Sequence, residues 1–147
     1  MQNRRDFIKQ SCTLCAGLAG FGAIATQLSS CAPLPVLKGE SKEGIITVPL
    51  AAFTGKNNVM IVRNAQLDFD IALVKNSASD YTALLMKCTH QDNPLSLTKN
   101  GLFCPSHGSA FDLEGNVTQE PALVPLKKFT TEIINSSILI NTKSYTQ

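Results

Sequence analysis

The sequence predicts a small all-β domain, an antiparallel sandwich or barrel, and three observations predict it. From residue 45 onward, short apolar runs rich in Val, Ile and Thr alternate with clusters of Gly, Asn, Ser and Asp. The runs are IITVPL at 45–50, NVMIVRN at 58–64, FDIALVK at 69–75, YTALLMK at 81–87, KFTTEII at 128–134 and SILIN at 137–141. Turn chemistry separates them: GKNN at 55–58, NS at 76–77, KNG at 99–101 and EGN at 114–116. NSS at 135–137, between EII and ILI, predicts a closing hairpin. Finally, no stretch beyond the N-terminal segment keeps a helical period over a useful length.

A chain of 147 residues is sized for one domain, and it remains so without its first 30 residues. The formal charge of +2 comes from Arg4, Arg5 and Lys9 against Asp6, so residues 31–147 are neutral. With no basic excess there, nucleic acid has no electrostatic footprint to bind.

The N-terminal segment has a different composition. NRRDFIK at 3–9 precedes an uncharged run rich in Gly, Ala and Thr at 12–28, too weakly apolar for a stable membrane span. A positive end, an apolar middle and a small-residue end make an export-signal plan. Paired Arg4 and Arg5 followed by Phe7, Ile8 and Lys9 resemble a twin-arginine signal, with Asn3 where Ser or Thr is usual. LSSC at 28–31 resembles a bacterial lipobox, which implies lipidation of Cys31; an uncleaved N-terminal anchor is the alternative. Cys12 and Cys15 then belong to the discarded segment, where no strand–helix context makes them a redox motif. The expected division is a signal at 1–30, a tether at 31–43 (APLPVLKGESKE from 32) and a folded domain at 44–147.

The chemistry concentrates at 86–112. Cys88-Thr89-His90 and Cys104-Pro105-Ser106-His107 hold both histidines of the chain, each close to a cysteine. Buried structural cysteines with surface histidines are one reading, but that reading leaves the pairing unexplained. Zinc is a second: it accepts two Cys and two His, although C-x-H is short for its usual knuckle and no helix supplies a second pair. An iron–sulfur centre is the third.

C-x-H and C-x-x-H on two loops of a β domain closely resemble the Rieske [2Fe–2S] family. The resemblance covers 45–141 in plan and is close across 88–125, where FDLEGNVTQEPALVPL adds a Gly115 turn and a segment around Pro121 and Pro125. It implies a Rieske-type fold with two cluster-binding loops and one [2Fe–2S] cluster per chain. Cys88 and Cys104 would hold the buried iron, and His90 and His107 the outer one. Around them, Pro105 would stiffen its loop, Gly108 would allow close backbone approach to the sulfurs, and Ser109 would hydrogen-bond a sulfur. Two imidazoles in place of thiolates raise the potential, and each keeps a ring nitrogen that can take up a proton with the electron.

Relatives of the cytochrome bc type tie their loops with a disulfide; Asn93 and Ser106 stand at its two positions. Phe111 stands where those relatives have a tyrosine that also bonds a sulfur. Fewer donors to sulfur place the expected potential in the middle of the Rieske span of about −150 to +300 mV. Twin-arginine export carries folded proteins, which suits a cluster built in the cytoplasm. The expectation is therefore an electron-transfer protein on the periplasmic face of a bacterial cell envelope, anchored to the membrane. Its partners would be a redox protein and possibly quinol, in a respiratory quinol-oxidising or periplasmic oxidoreductase complex. The alternatives are a ferredoxin-like component feeding an oxygenase or reductase, and a zinc-binding structural module. The length leaves no room for a separate catalytic iron domain, so a stand-alone enzyme is not expected.

Overall fold

The computed structural model describes residues 34–53 and 56–145; the expected export segment, Cys31, Cys12 and Cys15 lie outside them. Twelve strands form among the described residues: β1 (Val36–Lys38), β2 (Glu40–Lys42), β3 (Ile45–Pro49), β4 (Val59–Arg63), β5 (Ile71–Lys75) and β6 (Tyr81–Leu85) come first. β7 (Ser96–Leu97), β8 (Leu102–Phe103), β9 (Ala110–Phe111), β10 (Val117–Gln119), β11 (Lys128–Ile134) and β12 (Ser137–Asn141) follow. The all-β expectation holds; one short 3-10 turn at Leu50–Ala52 is the exception. The six long strands fall inside the six apolar runs, and the expected closing hairpin joins β11 to β12. Its turn residues Asn135 and Ser136 both have positive φ, 48° and 62°, the backbone that a two-residue turn between right-twisted strands requires.

Eight strands make one sheet in the order β1-β4-β5-β6-β11-β12-β3-β2, and four make a second in the order β10-β9-β8-β7. Continuous apolar runs in β5 and β6 reflect burial on both faces. Ile71, Leu73, Ala83 and Leu85 face a core with Ile46, Val48, Met60, Val62, Phe129, Ile138 and Ile140. Ala72, between Ile71 and Leu73, and its partner Leu84 point the other way, into a second core with Met86, Leu95, Leu102, Phe111, Ala122 and Leu126. Cys88 and Cys104 belong to that second core, so the small sheet and its loops are seated on the outer face of β5 and β6.

The boundary expected at residue 44 is corrected. Val36–Lys38 pairs parallel with β4, and Glu40–Lys42 pairs antiparallel with β3, at opposite ends of the sheet order. Only Gly39 separates the two, so the sheet's two edges must lie side by side. The stretch read as a tether is, from Val36 on, the clasp that closes the large sheet and removes its open edges. Gly39 suits the closure because a Cβ there would lie 2.6 Å from Ile46 Cγ2 and 2.9 Å from Val62 Cγ1. Its carbonyl accepts from buried Asn64 Nδ2 at 2.8 Å, and its N–H donates to Arg63 O at 2.9 Å.

Candidate metal centre

Two loops carry all the cysteines and histidines of the described residues. The first joins β6 to β7 and the second joins β8 to β9. Ser96 pairs with Phe103, so β7 begins where β8 ends and both loops emerge at the same end of the small sheet. Each loop is closed by its own cysteine. The Cys88 N–H donates to Asn93 O at 2.8 Å, and the Cys104 N–H donates to Ser109 O at 2.8 Å, the same five-residue span in both. Leu95 N–H to Met86 O at 3.0 Å and Gly108 N–H to Cys104 O at 3.0 Å continue the closures. Asn93 therefore helps fix its loop through its backbone, with no disulfide; Cys88 and Cys104 are both free thiols.

The four expected ligands separate into two pairs. Cys88 and Cys104 are fully buried. His90 and His107 are exposed, with ring centroids 5.1 Å apart and planes at 85°. Among the described residues, no three His, Cys, Asp or Glu side chains converge on one point that a single metal ion would occupy. A buried thiol pair beneath an exposed imidazole pair is a donor set for a group with two metals, one side soft and anionic, the other neutral and near solvent.

The surroundings of Cys88 lower the pKa of its thiol. Burial pushes the Cys88 thiol up, but hydrogen bonds to its sulfur from the backbones of His90 and Gln91 and from the side chains of Cys104 and Ser109 pull it down; the net shift is downward. Ser109 is fully buried, and its Oγ also accepts the Ala122 N–H at 3.0 Å. Ser109 is thus one of the groups that lower the Cys88 thiol. Phe111 is buried in the second core and offers no donor. Pro105 and Ser106 lie exposed at the tip of the second loop. Gly108 has φ 82°, and a Cβ there would meet only Gln119 Nε2, at 3.6 Å. Among the protein's own atoms the demand at Gly108 is conformational.

The segment at 119–124 straps both loops, and sequence reasoning passed over these contacts. Thr89 Oγ1 donates to Val124 O at 2.6 Å, while Gln119 Nε2 donates to Gly108 O at 2.8 Å. Lys87 Nζ pairs with Asp92 Oδ2 at 3.0 Å across the first loop. Nothing periodic marks such residues; their partners are set by the fold.

Asp112 opens the turn that the sequence marks by EGN at 114–116, and it shapes that turn as an Asx residue. Its Oδ1 accepts the N–H groups of Glu114 and Asn116 at 2.9 and 2.8 Å, and Oδ2 accepts Asn116 Nδ2 at 2.9 Å. Partial burial raises the carboxyl's pKa, but these bonds lower it further, so the net shift is downward. A carboxylate lowered on folding stabilises fully above its unfolded value of about 3.9, and that contribution is lost as pH falls through the folded value. Asp112→Asn is therefore expected to flatten the acid limb of the stability curve below about pH 4, read as urea midpoint against pH. An acid limb as steep as the parent's would remove Asp112 from this role.

Comparison with known proteins follows the same lines. A sequence model described as the Rieske [2Fe-2S] domain matches residues 52–130. The cytochrome b6-f complex iron-sulfur subunit of Chlorobaculum thiosulfatiphilum is 32% identical over 78 residues, covering 52% of this chain and 43% of that protein. The cytochrome b6-f complex iron-sulfur subunit 3 of Nostoc sp. strain PCC 7120 is 33% identical over 92 residues, 63% of this chain and 47% of the relative. The matched region is thus under half the length of these curated relatives. In fold, the chain is similar to one chain of the complex of reduced oxygenase and oxidized ferredoxin in carbazole 1,9a-dioxygenase. That match has a TM-score of 0.54 and 20% identity, covering 72% of this chain and 100% of the other.

Proposed function

The chain belongs to the Rieske [2Fe–2S] domain family, whose cofactor is a [2Fe–2S] cluster that transfers electrons, and from that premise we propose that Cys88, His90, Cys104 and His107 hold the cluster. The observation that carries the assignment is the split of the four side chains into a buried thiol pair and an exposed imidazole pair. When bound, the cluster supplies a one-electron couple. The residues around it do the rest. The two thiols anchor the group in the second core, the donors aimed at Cys88 hold negative charge there, and the imidazole edges face an approaching partner. Ser109 donating to a sulfur while Phe111 donates nothing supports a potential in the middle of the Rieske span of about −150 to +300 mV.

The test is iron and labile-sulfide analysis with electron paramagnetic resonance of the reduced protein. The expected result is two irons and two sulfides per chain, a two-histidine spectrum and a mid-span potential. Zinc without sulfide would end the reading, and a potential near the top of the span would overturn the account of Ser109 and Phe111.

We further propose that the protein works at the periplasmic face of a bacterial membrane, held by a lipid on Cys31, as a subunit or partner of a quinol-oxidising or periplasmic oxidoreductase complex. The twin-arginine-like and lipobox-like residues support the address, and the likeness to cytochrome b6-f subunits supports a redox-complex partner. The proposed division is a signal at 1–30 and a lipid-bearing linker at 31–35, ahead of the clasp. Replacing Cys31 by Ala is expected to release the protein from washed membranes into the soluble fraction. Unchanged membrane association would favour the uncleaved N-terminal anchor.

A further inference from the structure

An open-mouthed pocket of about 390 Å³ lies on the Cys88 side of the loops, within the size range of small-molecule sites. Its floor is apolar, with buried Leu85 and Cys88 below and Val124 at the rim. Tyr145 forms one wall. Its ring packs edge-on against Phe129 at 6.0 Å, and its N–H donates to Thr142 O at 2.9 Å, so the wall is fixed.

The polar lining is rich in donors and poor in acceptors. Lys87 and Asp92 neutralise each other at 3.0 Å, and the Thr89 hydroxyl proton is committed to Val124 O. That leaves the Lys127 ammonium with the hydroxyls of Ser144 and Tyr145. The ion pairs among the described residues are Arg63–Asp70 and Lys87–Asp92, so Lys127 has no carboxylate partner there. Among the described residues the pocket therefore carries one uncompensated positive charge above an apolar floor.

We infer that this pocket binds a small carboxylic acid with an apolar body, its carboxylate at Lys127 and the two hydroxyls and its body against Leu85 and Val124. Because Cys88 lines the same pocket, the bound anion lies near a residue that the proposed ligand set assigns to the cluster. A nearby negative charge disfavours adding an electron, so the anion binds the oxidised protein more tightly and lowers the midpoint potential. A tenfold preference for the oxidised form corresponds to about 59 mV for one electron. The pocket stands on its lining alone; the redox effect rests on the proposed ligand set.

The test titrates the oxidised, full-chain protein with sodium octanoate at constant ionic strength. The readout is tyrosine fluorescence, the chain having two tyrosines and no tryptophan. A saturable change is expected with octanoate but not with acetate, which lacks the body, or octylammonium, which reverses the charge. Lys127→Gln is expected to weaken binding at least tenfold, and Lys127→Arg to restore it. Octanoate should also lower the midpoint potential saturably, where sodium chloride does not. Absence of saturation, equal binding of octylammonium, or undiminished binding by Lys127→Gln would overturn the site. Binding with an unchanged potential would overturn the coupling. Loss of the functional reading would be recognised separately, by the absence of a two-histidine spectrum, and the fluorescence titration would still decide the pocket.

Discussion

His107→Ala is expected to abolish the two-histidine spectrum and to bring electron transfer to background, while the folded domain survives. His107 is exposed and forms no side-chain hydrogen bond among the described residues; its neighbour is the His90 ring at 5.1 Å. Surface changes away from such bonds cost within about 0.5 kcal/mol. The variant thus separates chemistry from folding: far-ultraviolet dichroism and the urea midpoint of the metal-free chain should match the parent. The reduced protein's paramagnetic signal and its reversible couple should be lost. On the proposed ligand set, removing one imidazole would take a ligand from the outer iron, which the buried thiol pair could not replace. A native signal persisting in His107→Ala would contradict the assignment. A parallel loss of fold would show instead that the loop depends on the ring for its shape.

The proposed ligand set could be read from the sequence because its chemistry is local. Two Cys and two His at C-x-H and C-x-x-H need no partner elsewhere in the chain to be recognised, and the same holds for Asn135 and Ser136 in the hairpin turn. What escaped depends on residues far apart. VLKGESKEG at 36–44 is charged and Gly-containing, which reads as linker, yet Val36 pairs with Ile61 and Lys42 with Ile45. Three-residue strands are too short to show an alternation, and the closure they make exists only once the other strands have formed their sheet. β7, β8 and β9, two residues each, are invisible for the same reason. Thr89, Gln119 and Ala122 hold the site through bonds whose partners the fold chooses, so a polar residue between two ligands carried no signal of its own. By contrast, the double burial of β5 and β6 was present in the sequence as the unbroken runs IALV and ALLM. A second core on the outer face is what such runs require.

That second core sets the largest expected loss of stability. Phe111→Ala should destabilise the domain by about 3–5 kcal/mol, the range for a buried aromatic truncated to Ala. Domains of this size are stable by only about 5–15 kcal/mol, so the change removes a large share of the total. Phe111 is among the largest fully buried side chains and lies with Leu84, Leu102, Cys88 and Cys104. It pairs with Leu102 across β8 and β9, the two strands that carry the second loop, so the space left opens directly beneath the cysteines. The first core shares none of these side chains. In the parent, visible absorption of the cluster and far-ultraviolet dichroism should be lost together in urea. In Phe111→Ala the absorption should disappear at lower urea than the dichroism, because the small sheet opens while the closed large sheet persists. Phe111→Tyr keeps the ring and tests the other half of the argument: a hydroxyl reaching a sulfur should raise the midpoint potential with the fold intact. If Phe111→Ala cost less than about 1 kcal/mol, the second core would not be what seats the loops, since even a partly collapsed cavity under a phenylalanine exceeds that.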